Sequence, residues 1–139
     1  MIERKVIPTA KIGIFAVAHA TYWAQFEGLY EKIMKYHYDF VEMVKKNGVE
    51  VIDLGMVDSS EKGYEAADKL TAAGVDTIFC NMVTYATSSV FAPVMRAATA
   101  PVVLVALQPL ECLDYSKAST YMQLENEIFV QYPNLQVLR

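Results

Sequence analysis

The sequence predicts an α/β domain built on a doubly wound parallel sheet of about five strands, with helices on both faces. Between Lys11 and Leu107, short apolar runs rich in β-branched residues alternate with longer segments of helical periodicity. Each intervening segment is long enough for a helical crossover, and such crossovers join parallel strands with right-handed sense. The 139 residues are 54% hydrophobic and 20% charged, which suits one core in one domain spanning residues 1–139.

Residues 11–18 (KIGIFAVA) read as a strand buried on both faces. A long helix is expected over residues 24–46. Its stripe is Phe26, Leu29, Tyr30, Ile33, His37, Phe40, Val41 and Val44, and it stops at Asn47-Gly48. Residues 49–54 (VEVIDL) form the second strand. The polar run from Asp58 to Glu61 supplies an N-cap for a helix reaching Ala73, closed by Gly74. Residues 76–83 (DTIFCNMV) are the third strand, followed by a helix from Thr87 or Ser88 to Ala98. Residues 101–107 (PVVLVAL) are the fourth strand, with Pro101 at its first position, where proline is tolerated. A helix is expected within residues 115–130, a turn at residues 132–134, and a fifth strand at residues 135–138. The expected strand order is 2-1-3-4-5, the flavodoxin-like arrangement of a three-layer, Rossmann-like sandwich.

Composition narrows the function. Net charge is −4 and no basic stripe is present, which argues against nucleic acid as partner. No apolar stretch reaches the roughly 20 residues that span a bilayer, and residues 1–13 lack a signal core, so a cytoplasmic location is expected. Cys80 and Cys112 form no metal spacing; Cys80, in an apolar run, reads as a buried thiol. The apolar share is generous for a free monomer and suggests a surface covered by a partner.

In such a sheet, ligands sit beyond the carboxyl ends of the strands, where strand order reverses. That puts the loops at residues 18–25, 55–61, 81–89 and 108–115 on the functional edge. They carry His19, Thr21, Tyr22, Trp23, Gln25, Asp58, Asn81, Thr84, Tyr85, Ser88, Gln108, Glu111 and Asp114. Amides, hydroxyls and aromatic faces suit a hydroxyl-rich ligand, but no nucleophile–base pair stands out. The first loop is too poor in Ser, Thr and Gly for a flavin phosphate, and no G-x-G-x-x-G fingerprint follows a strand. His19 reads either as a ligand contact or as a local cap. His37 reads as a packing or interface residue. Tyr36, Tyr38, Met34 and Met43 read as a broad core face or an inter-subunit surface. Glu111 and Asp114 read as solvated acids.

The passages KIGIFAVAHATYWAQFEGL, VIDLGMVDSSEKGYEAADKLTAAGVDTIFCNMVTYATSSVFAPVMRAA, PVVLVALQP and DYSKASTYMQLEN together resemble the N-terminal domain of the L-fucose isomerase/L-arabinose isomerase superfamily. The resemblance runs from Lys11 to about Asn126; residues 128–139 depart from it. It implies aldose–ketose isomerisation by the full-length protein, with Mn²⁺ and catalytic acids held by later domains. By the same resemblance, this part contributes to oligomer assembly and lends loops to a sugar pocket. Position by position, that role falls on His19, Tyr22, Trp23 and Gln25, and more weakly on Tyr85 and Gln108. No catalytic residue, metal ligand or cofactor is expected within the chain, which would be inactive alone. The expected partners are further copies of the chain, or the missing isomerase domains, and a sugar. Two alternatives stand beside this reading: a stand-alone sugar- or sugar-phosphate-binding module, and an assembly domain with no ligand.

Overall fold

The computed structural model describes residues 8–112 and 114–126. Strands β1 (Lys11–Val17), β2 (Glu50–Val57), β3 (Thr77–Met82) and β4 (Val102–Val105) form one sheet in the order β2-β1-β3-β4. Every adjacent pair is parallel. Helices α1 (Leu29–Lys45), α2 (Ser60–Ala73) and α3 (Ser88–Ala97) connect the strands, and α4 (Thr120–Asn126) follows β4. The strand order matches the first four places of the expected one. The expected turn at 132–134 and the fifth strand at 135–138 lie outside the described residues.

Side chains alternate across a strand, so β1 feeds two different cores. Phe15 and Val17 point to one face, packing in a cluster with Ala66, Leu70, Val90 and Val94 of α2 and α3. Ile12, Ile14 and Ala16 point to the other, in clusters with Leu29, Ile33, Phe40 and Val41 of α1. This is why β1 reads as an unbroken apolar run: both faces are covered by helices. Ile14, Phe15, Leu29 and Ile33 are fully buried, and each such side chain contributes about 1.5–3 kcal/mol by leaving water. Among the described residues, no helix is long and apolar enough to cross a membrane.

Two boundaries differ from expectation by three residues or more, each because of a glycine. The long helix begins at Leu29 rather than at residue 24, because Gly28 takes a left-handed conformation (φ +76°) that a right-handed helix cannot contain. The residues before it form a 3₁₀ turn at Ala20–Tyr22 and a short coil. Phe26 therefore belongs to that coil rather than to the helical stripe. The second strand continues to Val57 rather than stopping at residue 54, because Gly55 (φ +68°) forms a bulge instead of a turn. Ile14 pairs with Asp53, and Ala16 pairs with Met56, so three steps on β2 oppose two on β1. The edge loop after β2 accordingly starts at Asp58.

Helix α2 is capped as expected. The Ser59 hydroxyl accepts from the Lys62 N–H, and Gly74 closes the helix with φ +60°. Gly63 on its buried face lies directly against the Val90 carbonyl and the Pro93 ring of α3, so the two helix backbones approach closely at that point.

Candidate functional site

Strand order reverses at β1: the chain steps from it to β2 on one side and from β2 to β3 on the other. The crevice beyond the carboxyl ends of β1 and β3 is therefore the place where this architecture accepts ligands. The loops leaving those two strands meet there through aromatic rings. Tyr22 lies 6.5 Å from Tyr85, 5.8 Å from His19 and 6.3 Å from Phe26, centroid to centroid. Phe26 extends the row edge-on to Tyr121 of α4. Burial, and next to it the neighbouring Tyr85, push the Tyr22 phenol above its ordinary value, so it stays protonated and able to donate.

The first loop holds its shape by local hydrogen bonds. His19 caps the 3₁₀ turn: its Nδ1 lies 2.6 Å from the Thr21 hydroxyl and 3.4 Å from the Thr21 N–H. The Gln25 side-chain amide donates to the Thr21 carbonyl at 2.9 Å. The Trp23 indole N–H donates to the Asp58 carboxylate at 2.8 Å, and its ring packs edge-on against Tyr30. Asp58 is buried, and its other oxygen takes Lys62 at 2.7 Å. A buried carboxylate needs such partners, so Asp58 ties the loop after β1 to the first turn of α2.

The structure thus gathers His19, Tyr22 and Tyr85 in one cluster, with Trp23 beside it on Asp58. Gln25 faces its own loop. Gln108 lies elsewhere, lining a hollow of about 160 Å³ with Tyr36, Asp39, Phe40, Met43, Leu107 and Pro109. Thr84, just after β3, is buried, and its hydroxyl has no hydrogen-bond partner among the described residues.

A second polar constellation runs from the interior of the fold to its surface. His37 of α1 is fully buried, and its imidazole bridges two strands. Nε2 is 2.8 Å from Asp53 Oδ1 on β2, and Nδ1 is 3.3 Å from the Asn81 side-chain nitrogen on β3. The Gly55 bulge takes part, since its N–H donates to the same Asp53 oxygen at 2.8 Å. Burial pushes the Asp53 carboxyl upward, but the His37 and Gly55 hydrogen bonds and the charges of His37 and Lys45 outweigh it and hold it below the ordinary value.

Asn81 therefore belongs to the core side of β3 rather than to an edge loop. It also lines a small hollow of about 20 Å³ with Tyr36, Val83, Leu107, Pro109 and Glu125. There the Tyr36 hydroxyl donates to Glu125 at 2.7 Å and Lys32 pairs with the same carboxylate at 2.6 Å. Burial, then the hydrogen bond and charge of Glu125, push the Tyr36 phenol up to about 12.

Sequence reasoning did not single out Asp53 or join it to His37. A signal existed: Asp53, Asn81 and His37 are polar residues set in apolar runs or an apolar stripe, and buried polar groups find one another. Among the described residues, no three His, Cys, Asp or Glu side chains are grouped so as to hold a metal ion. The Mn²⁺ implied by the resemblance thus has no donor set among these residues. No protein-family model matches the sequence, and no curated protein matches it.

Proposed function

We propose that this chain is the substrate-pocket and assembly domain of an aldose–ketose sugar isomerase. In this reading it lends an aromatic wall to the sugar site and leaves proton transfer and Mn²⁺ binding to other domains. The observation that carries the proposal is the meeting of Tyr22 and Tyr85 across the point where strand order reverses. Aromatic faces cover the C–H surface of a sugar, while hydroxyl and imidazole groups take its hydroxyls. His19 has Nδ1 occupied by Thr21, so Nε2 is the nitrogen a sugar would meet. Trp23, fixed by Asp58, is the next aromatic surface along the loop. Gln25 and Gln108 stand at the periphery of this reading. The flavodoxin-like description of the sheet belongs to the same proposal and is supported by the order β2-β1-β3-β4.

The test is a calorimetric titration of the chain with a panel of aldoses and ketoses, repeated with Tyr22→Ala and His19→Ala. Loss of an aromatic contact worth about 0.5–1.5 kcal/mol should weaken binding about two- to tenfold in Tyr22→Ala. Binding indifferent to both substitutions, or absent for every sugar of the panel, counts against the pocket. Metal-dependent aldose–ketose conversion by this chain alone would show that the chemistry does not reside elsewhere.

A second reading, an assembly domain without a ligand, is favoured by one patch. Met43 and Leu107 are more than half-exposed or close to it (59% and 50%) and line the same hollow as Phe40. Under this reading Met43→Glu lowers the assembly's mass in light scattering while the circular dichroism spectrum stays unchanged.

A further inference from the structure

The Asp53–His37–Asn81 constellation has a property that neither sugar binding nor assembly requires. It joins three elements through one imidazole. Asp53 comes from β2, His37 from α1 and Asn81 from β3, while β1 between the two strands offers only Ile14 and Ala16 at that level. Asp53 is one-quarter open to solvent at its side chain, His37 is sealed, and Asn81 lines the hollow beside Tyr36 and Glu125.

The chemistry of the three groups fixes their donor pattern. An ionised carboxylate only accepts, so the ring nitrogen facing Asp53 must carry a hydrogen. A neutral imidazole then has a lone pair on Nδ1, and Asn81 must offer its NH₂ to it. The amide carbonyl of Asn81 is left for whatever else reaches that side chain. If Nδ1 gains a proton, the ring becomes a donor on both sides. The Asn81 NH₂ then faces an N–H, and the contact is restored only when the amide turns half a revolution and presents its oxygen.

We propose that Asp53, His37 and Asn81 form a proton-driven amide switch. One proton taken up at His37 exchanges the carbonyl of Asn81 for its NH₂ on the side away from the ring, and so reverses the polarity that Asn81 shows to the hollow. Several groups around the switch bear on the charged setting. Asp53 supports the imidazolium by charge. The Tyr38 ring lies 5.8 Å from the imidazole on the same helix. Lys45 acts on Asp53, and Glu125 of α4, already held by Lys32 and Tyr36, is the carboxylate that lines the same hollow and toward which a turned NH₂ would be favourable.

The test is nuclear magnetic resonance of the ¹⁵N-labelled chain between pH 8 and pH 5. Long-range imidazole correlations report the tautomer of His37, and the Asn81 side-chain amide signals report the turn. The expected result is the Nε2–H tautomer at pH 8 and an Asn81 shift whose midpoint coincides with that of His37. In His37→Gln, which cannot titrate there, the Asn81 signals should stay fixed with pH. Should that variant fail to fold, the two midpoints in the unaltered chain decide the matter. The Nδ1–H tautomer at pH 8, a His37 that keeps one protonation state throughout, an Asn81 signal that stays still or moves at another midpoint, or a pH-dependent Asn81 shift persisting in His37→Gln each overturns the switch.

Discussion

Replacing Asp53 tests the buried polar bridge most directly. Asp53→Ala removes one oxygen that accepts two hydrogen bonds, from His37 Nε2 and from the Gly55 N–H. The two losses differ in size. His37 is fully buried, so its N–H becomes an unsatisfied interior donor, at a cost of about 1–3 kcal/mol. Gly55 is half-buried and its N–H can turn to water, so that bond counts for about 0.5–1.5 kcal/mol at most. We expect Asp53→Ala to lower stability by about 2–3 kcal/mol at pH 7, and Asp53→Asn, which keeps an acceptor, by about 1 kcal/mol. Urea unfolding followed by circular dichroism measures both, with the slope checked for constancy.

Acid gives the matching pH dependence. The folded carboxyl lies below its ordinary 3.8, so its contribution is fully present above that value and is lost as pH falls through the lower folded one. The stability gap between the natural chain and Asp53→Ala should therefore narrow as pH falls below 3.8. An Asp53→Ala variant within about 0.5 kcal/mol of the natural chain at pH 7 would refute the bridge, because surface substitutions fall in that range. A gap that does not change with acid would refute the role of the charge.

Other substitutions probe other joints. Gly63→Ala places a methyl group against the Val90 carbonyl, so α2 and α3 must separate; a loss of about 1–3 kcal/mol in urea unfolding is expected, although alanine favours helix more than glycine does. Trp23 is the single tryptophan, so Asp58→Asn should alter its fluorescence emission by weakening the bond that seats the indole, and an unchanged emission spectrum would show that the loop is held otherwise. Tyr36 holds its proton up to about 12, so stability from this phenol is complete below the ordinary value of 10.0 and disappears as pH rises through the folded one. Tyr36→Phe should accordingly remove a phenol that ionises near 12 from an ultraviolet absorbance titration.

Elements whose signals were local could be read from the chain alone. The double-sided apolar run of β1, the Ser59 cap and the Gly74 stop of α2 all behave as their residues dictate. The two glycines that misled did so because glycine permits several conformations and only the tertiary setting selects one. Gly28 ends a coil anchored at Trp23 and Asp58, and Gly55 bulges because β1 continues beside it. The candidate cluster was legible as a list of loop residues, since the strand rhythm places those loops on one edge. Which of them meet was not legible, because ring contacts such as Tyr22 with Tyr85 depend on loop shapes that no spacing encodes. Asp53 was hidden by the bulge itself: its alternation with its neighbours is broken two residues later, and only the register shows which face it serves.

The bulge at Gly55 also bears on how this sheet meets other sheets. Among the described residues β2 stands at one margin of the sheet, where an open ladder of N–H and C=O groups is a template for an extra strand from another molecule. Gly55 interrupts that ladder two residues before its end, and Glu50 and Asp53 set carboxylates along the strand ahead of it. A docking strand would meet negative charge before the kink and lose register at it. Straightening β2 by deleting Gly55 should therefore do more than unseat Asp53. It should turn the margin of the sheet into an adhesive edge, and the altered protein should form thioflavin-binding aggregates at concentrations where the natural chain stays clear.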